Sequence, residues 1–238
     1  MTARRQTVLS LSLAAVILAG WATLHVVGIF VYRLPGSPWL VAGVILLQAW
    51  LSAGLFIVAH DCMHGSFAPG RPRLNRAVGT LCAALYACFA YKGLEANHFR
   101  HHRFAGTADD PDFDARDPRG FLRWYLRFFG GYYTHAQLAR ITVVALIYMA
   151  LGASLVNIAV FWAVPALLSS VQLFLFGTWL PHRHAGDDFA DRHNARSTQL
   201  GWLASLVTCF HFGGFHHEHH LHPATPWWAL PQARNRAA

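Results

Sequence analysis

Apolar residues gather in long tracts along this chain, and polar residues gather between them. The first tract covers about residues 7–31 and the second about 39–60. A third, from about Val143 to Leu180, is nearly forty residues long. A helix needs about 20 apolar residues to cross a bilayer, so the third tract is expected to fold as a hairpin. The hairpin turns near Gly152–Asn157 and gives spans of about 139–155 and 157–180. A shorter apolar run, about 77–91, is too short to span comfortably. It is expected to be a re-entrant or interfacial helix that returns to the side where it began. The pattern predicts an all-α integral membrane protein, a single domain over residues 1–238. About four transmembrane helices and one short extra helix make it up.

Charge sets an expected orientation. The chain is 55% hydrophobic and 13% charged, unlike a soluble domain. Arg4 and Arg5 precede the first span, and a run of basic residues from Arg71 to Arg127 lies between the second and third. Arg183, Arg192, Arg196, Arg234 and Arg236 follow the fourth, and only Arg33 falls in an expected outer loop. The positive-inside rule then places both termini and the central loop in the cytoplasm. The N-terminal tract is long and has no clear small-x-small cleavage site, so it reads as a retained anchor. The net charge of +8 follows this loop bias, which suits anionic lipid headgroups and gives no basic domain for nucleic acid. A multi-pass membrane protein is expected, with a histidine-rich, two-metal cap on its cytoplasmic side.

That cap comes from the histidines. His60 and His64 are an i, i+4 pair, while His98, His101, His102 and His216, His219, His220 are both i, i+3, i+4 triplets. On a helix those spacings share one face, so each box aims its imidazoles at a common point. His182 follows the apolar run that ends the fourth span. With 16 histidines in 238 residues, such a triplet arises by chance roughly 0.07 times, and here it occurs twice. Nine imidazoles are too many for one tetrahedral ion and suit two ions sharing a site. The four-span topology brings all nine to one membrane face. A metal transporter is the rival from another class, but the spans hold almost no ionisable residues along a crossing path.

The remaining polar residues are weighed one by one. Asp61, Asp187, Asp188, Asp191, Glu218 and His193 are candidates for orienting ligand imidazoles. The acidic loop of Asp109, Asp110, Asp112, Asp114 and Asp117 is expected mostly as a solvated turn region, with one or two carboxylates as alternatives for that orienting role. His25, inside the first span, is expected to be a neutral packing residue. Cys62, Cys82, Cys88 and Cys209 form no CxxC pair and are expected to be reduced packing residues.

Imidazole ligands alone permit zinc, copper, iron or nickel. A site at the lipid boundary suits a lipid-soluble substrate, and unactivated C–H bonds there call for a redox metal, which argues for iron. The three boxes resemble the membrane fatty-acid desaturase and hydroxylase superfamily. The resemblance is closest to its branch of bacterial β-carotene ketolases and covers the chain from about Trp50 onward. It is carried by Ala59-His-Asp-Cys-Met-His-Gly65, Asp110-Pro-Asp-Phe113, Phe176-Gly-Thr-Trp-Leu-Pro-His182, Asp191-Arg-His-Asn-Ala-Arg-Ser197 and Cys209-Phe-His-Phe-Gly-Gly-Phe-His-His-Glu-His-His-Leu-His-Pro223. The resemblance implies a non-haem di-iron oxygenase that converts the ring methylene at carbon 4 of β-carotene or a related carotenoid to a ketone. It implies O2 as cosubstrate and a reduced ferredoxin-type electron donor. It implies nine ligands: His60, His64, His98, His101, His102, His182, His216, His219 and His220. Related desaturases often carry Asn where this chain has Thr178. His184, His193, His211, His217 and His222 fall outside the box register. A carotenoid ring hydroxylase or a fatty-acyl desaturase is the alternative within the class.

Overall fold

The computed structural model describes residues 1–184 and 189–237, and no strand occurs among them. Helix α1, Ala3–Val31, begins at Thr2, whose side chain accepts from the Arg5 amide. Helix α2, Pro38–Met63, starts with a proline at its first position, where the missing N–H costs nothing. Helices α3, Pro72–Ala87, and α4, Tyr91–Phe104, meet at a 98° bend. The bend is made by Cys88, which ends α3 in the left-handed conformation at φ 56°. Helices α5, Phe121–Tyr132, and α6, His135–Ala150, lie on the flank. The chain then turns at Gly152, φ 96°, and enters α7, Leu155–His182. Short helices α8, Trp202–Cys209, α9, His216–Leu221, and α10, Leu230–Ala237, close the chain.

Among the described residues three helices are long and apolar enough to cross a membrane: α1 with 29 residues, α2 with 26 and α7 with 28. The bent α3–α4 pair makes a fourth if it counts as one span. The tract expected as a third span is α6, at 16 residues and about 24 Å, short of the roughly 30 Å hydrocarbon core. Its first turns carry Gln137 and Arg140, which donate to the Ala87 and Cys88 carbonyls. Its far end reaches the outer part of the bundle, where Tyr148 meets His25 and Ala153 packs with Ile29, so α6 returns the chain to the start of α7.

Helix α2 is the centre of the bundle. Its second half, from Gln48 to Met63, is buried between α1, α3 and α7, while Trp39, Leu40, Leu46 and Leu47 of its first half stay exposed, as lipid contact requires. In lipid, helices are held by close packing and interhelical hydrogen bonds. Gly54 provides the close packing: a Cβ there would stand 2.6 Å from Phe210 and 3.0 Å from Ile17. The Trp21 indole donates to Ser52 at 3.1 Å and the Gln48 amide donates to the Trp21 carbonyl at 3.4 Å.

Helix α7 is irregular in two places, with π-helical turns at Ala159–Ala163 and Leu175–Trp179. Each is followed by a proline, Pro165 or Pro181. Proline removes an amide donor and crowds the preceding turn, and a wider turn relieves both. The first π turn packs against a matching one, Val27–Val31, at the end of α1. There the Asn157 amide donates to the carbonyls of Gly28 at 3.0 Å, Ile29 at 3.3 Å and Tyr32 at 2.8 Å.

Candidate metal centre

Four separate elements deliver the box histidines to one end of the bundle. His60 lies in the last turn of α2 and His64 caps it. The bend before α4 turns His98, His101 and His102 towards α2. His182 ends α7, and α9 carries His216, His219 and His220.

These nine residues form two groups of nitrogen donors, in each of which the ligand atoms lie within 4.8 Å of one another. One group is His60, His64, His98, His102 and His219, and the other is His101, His182, His216 and His220. Each triplet is therefore divided, where spacing alone pointed all three imidazoles at a single point. The i, i+4 pairs His98/His102 and His216/His220 stay together, and the i+3 members His101 and His219 cross to the other group. The groups touch, because the rings of His102 and His220 stack with centroids 4.3 Å apart.

The donor atoms suit a metal. Nε2 of His64 stands 2.6 Å from that of His98, His102 from His219 at 3.0 Å, and His216 from His182 at 2.9 Å and His220 at 3.0 Å. Two nitrogens bound at right angles to one ion at about 2.1 Å stand about 3.0 Å apart. Burial, followed by the neighbouring imidazoles, holds His216, His219 and His220 well below the ordinary histidine range. They are neutral rings with lone pairs free to ligate. His182 Nδ1 donates to the Asn194 carbonyl at 2.7 Å, which leaves its Nε2 lone pair facing the group.

His101 is held more firmly. Its Nδ1 lies 3.0 Å from both oxygens of Asp110, which also accept from the Gly106 and Asp112 amides. Burial opposes charge on Asp110, but His101 outweighs it and keeps that carboxyl below the usual range. Asp112 accepts from the Tyr132 hydroxyl at 2.7 Å, and burial pushes its carboxyl up to about 6. Asp110, Asp112 and Asp114 are buried, against the expectation of a solvated turn; Asp109 is exposed. Acidic residues in a Pro-rich loop look solvated in sequence, and only the packing of α4 and α5 against the loop draws these three inside.

The other candidates do different work. Asp61 accepts from the Trp227 amide at 3.0 Å and ties the C-terminal segment to α2; its 3.9 Å to His60 Nδ1 is beyond hydrogen-bond range. Glu218 is held by Ser197 and Arg234 and so braces α9 against α10. His193 sits with its ring 5.9 Å from that of His220, and Asp191 accepts from His217 at 2.8 Å. Asp187 and Asp188 lie outside the described residues. His25 is remote from the boxes, stacked on Trp21 and hydrogen-bonded to Tyr148 at 3.0 Å. Among the described residues the four cysteines are free thiols.

A cavity of about 490 Å³ opens from the two groups. Metal-end walls include His60, His98, His101, His216 and Thr178, and the far end is lined by Ile158 and Trp162. Between Trp162 and Thr178 it follows α7 for sixteen residues, roughly 24 Å at the helical rise. Its sides are apolar and aromatic, from Phe56, Phe128, Ile141 and Leu173.

An all-helical bundle with paired histidine groups is the arrangement of a membrane lipid-modifying oxygenase. The fatty acid desaturase family model matches residues 37–141 and 132–238, and the chain belongs to that family. Within it, two proteins named beta-carotene ketolase, from Paracoccus strains, are 48% and 49% identical. They cover 97% and 96% of this chain and 94% and 93% of their own length. A protein of Chlamydomonas reinhardtii named zeaxanthin 4-ketolase is 35% identical over 95% of this chain and 53% of its own length.

Proposed function

We propose that this protein is a carotenoid ring ketolase, converting the carbon-4 methylene of a β-ionone ring to a ketone. The histidine-lined end of the long apolar cavity carries this reading: it admits a ring at the donor groups and a rod-like polyene behind it. The near-full-length likeness to proteins named beta-carotene ketolase supports the same substrate class.

His60, His64, His98, His102 and His219 would hold one iron, and His101, His182, His216 and His220 the other. Bound iron supplies O2 activation, with electrons from a ferredoxin-type donor. The protein's own part is positional. Asp110 fixes the His101 ring, and the Asn194 carbonyl fixes His182. The apolar walls exclude water and leave one ring edge facing the donors. Two hydroxylations of the same carbon give a geminal diol, which loses water to the ketone.

The whole chain acts as one domain in the bacterial inner membrane, with its site and both termini on the cytoplasmic side. A reporter fused after Arg103 should read cytoplasmic; a periplasmic signal overturns that orientation. The activity is tested by expression in a β-carotene-producing bacterium, with extracted pigments separated and weighed by mass spectrometry. Ketone is the expected product. Alcohol or alkene in its place would assign the chain to a hydroxylase or a desaturase.

A further inference from the structure

Three helical glycines of the bundle have an evident packing reason. A Cβ on Gly28, Gly54 or Gly79 would stand 2.7, 2.6 or 2.3 Å from a neighbouring side chain. Helical Gly43, Gly93, Gly130 and Gly131 meet no neighbour either, but none of them lines the cavity, and Gly177, in the second π turn of α7, does. A Cβ there meets nothing within 4 Å, and its φ is not in the left-handed region. Neither packing nor backbone geometry asks for glycine, which costs about 1 kcal/mol against alanine inside a helix. Gly177 is also the only glycine lining the cavity among the described residues, beside Thr178 and close to the ligand His182. The space a side chain would fill is therefore cavity space at the metal end.

We infer that Gly177 sets the clearance for the substrate ring beside the metal centre, and so decides which rings the enzyme accepts. This rests on the ketolase reading above. A β-ionone ring is widened by its geminal methyl pair, and a ring already hydroxylated beside the reacting carbon is wider still. A side chain at 177 narrows the metal end that these rings must occupy, and the wider ring suffers first. Hydrophobic pockets discriminate by about tenfold or more per added carbon when the fit is close.

Gly177→Ala and Gly177→Val are expressed in bacteria that make β-carotene or zeaxanthin. Ketone per membrane-inserted protein is measured, with iron per chain and thermal stability of the purified protein. Alanine strengthens the helix and meets no neighbour, so a fold defect is not expected from it. The expected result is unchanged iron and accumulation in both variants. Ketone yield falls severalfold with alanine and about tenfold or more with valine, and zeaxanthin turnover falls further than β-carotene turnover. Wild-type yield on both substrates in both variants overturns the inference. So does a loss in Gly177→Ala that tracks lost iron or lost protein, since the residue then serves the fold. Wild-type protein that makes no ketone at all overturns the ketolase reading instead.

Discussion

The two π turns of α7 put one backbone irregularity to opposite uses. At Ala159–Ala163 the widened turn is filled: Phe161 lies against Gly28, and Asn157 satisfies three carbonyls at the end of α1. At Leu175–Trp179 the widened turn borders open space, with Gly177 bare and His182 following. The same contrast holds for polar atoms. At the outer end the His25 ring bonds the Tyr148 hydroxyl through Nε2 and leaves only its other nitrogen without a partner. At the inner end Nε2 faces Nε2, in His64 with His98, His102 with His219, and His216 with both His182 and His220. Groups that oppose each other in this way need a cation. Irregular backbone marks a site only where its surroundings leave it unfilled.

The largest effect that could break this contrast is loss of a donor. His101→Ala, His182→Ala and His219→Ala should each abolish ketone formation while the protein still accumulates in the membrane. Iron per chain, near two in the wild type, should fall with each. Near-normal yield from His182→Ala removes that residue from the ligand set. A single redox-inert zinc in the wild type would end the di-iron assignment.

The next effect is indirect. Asp110→Ala frees the His101 ring and leaves a buried Nδ1–H without its acceptor. Partners of this kind are worth about 10–100-fold in metal affinity or activity. Asp110→Asn retains an acceptor oxygen and should lose less. Equal activity in the two variants would mean that the carboxylate does not orient the ligand.

How much of this was legible in sequence follows from the kind of force involved. The histidines were legible because i, i+3, i+4 spacing is a property of one helix. Their division between two groups was not, because it depends on how α4 crosses α9. Asp110 and Asp112 looked like loop acids, since charge gives no sign of burial. Asn194 acts through its backbone carbonyl and leaves no side-chain signal at all. The apolar tracts marked α1, α2 and α7; α6 is a shorter helix of 16 residues, because Gln137 and Arg140 in its first turns bond to the carbonyls that end α3.

A smaller effect belongs to the filled π turn. Asn157→Ala leaves three carbonyls without their donor in an apolar setting. Hydrogen bonds between membrane helices average about 0.6 kcal/mol each, so a loss of about 1–2 kcal/mol is expected. Thermal stability in detergent should drop, with ketone yield per folded protein and iron content kept. Lost iron at unchanged stability would show that the outer end is part of the site.

The smallest effect is expected at His25. It is buried in α1, stacked on Trp21 at 4.4 Å, edge-on to Trp162 at 6.0 Å and bonded to Tyr148. Every one of these contacts is made by a single neutral ring, so His25→Phe preserves the aromatic packing and removes one hydrogen bond. The cost should be about 0.6 kcal/mol, with iron retained. Trp162 lines the far end of the cavity, however, so the His25 ring against it has a second role to test, in holding substrate. Ketone yield per membrane-inserted protein separates the two roles. Unchanged yield for His25→Phe leaves His25 as packing and keeps the two ends of the molecule distinct. A yield as low as that of His182→Ala, at normal iron content, would instead make the first helix part of the substrate path, and the contrast between a filled end and an open one would fail there.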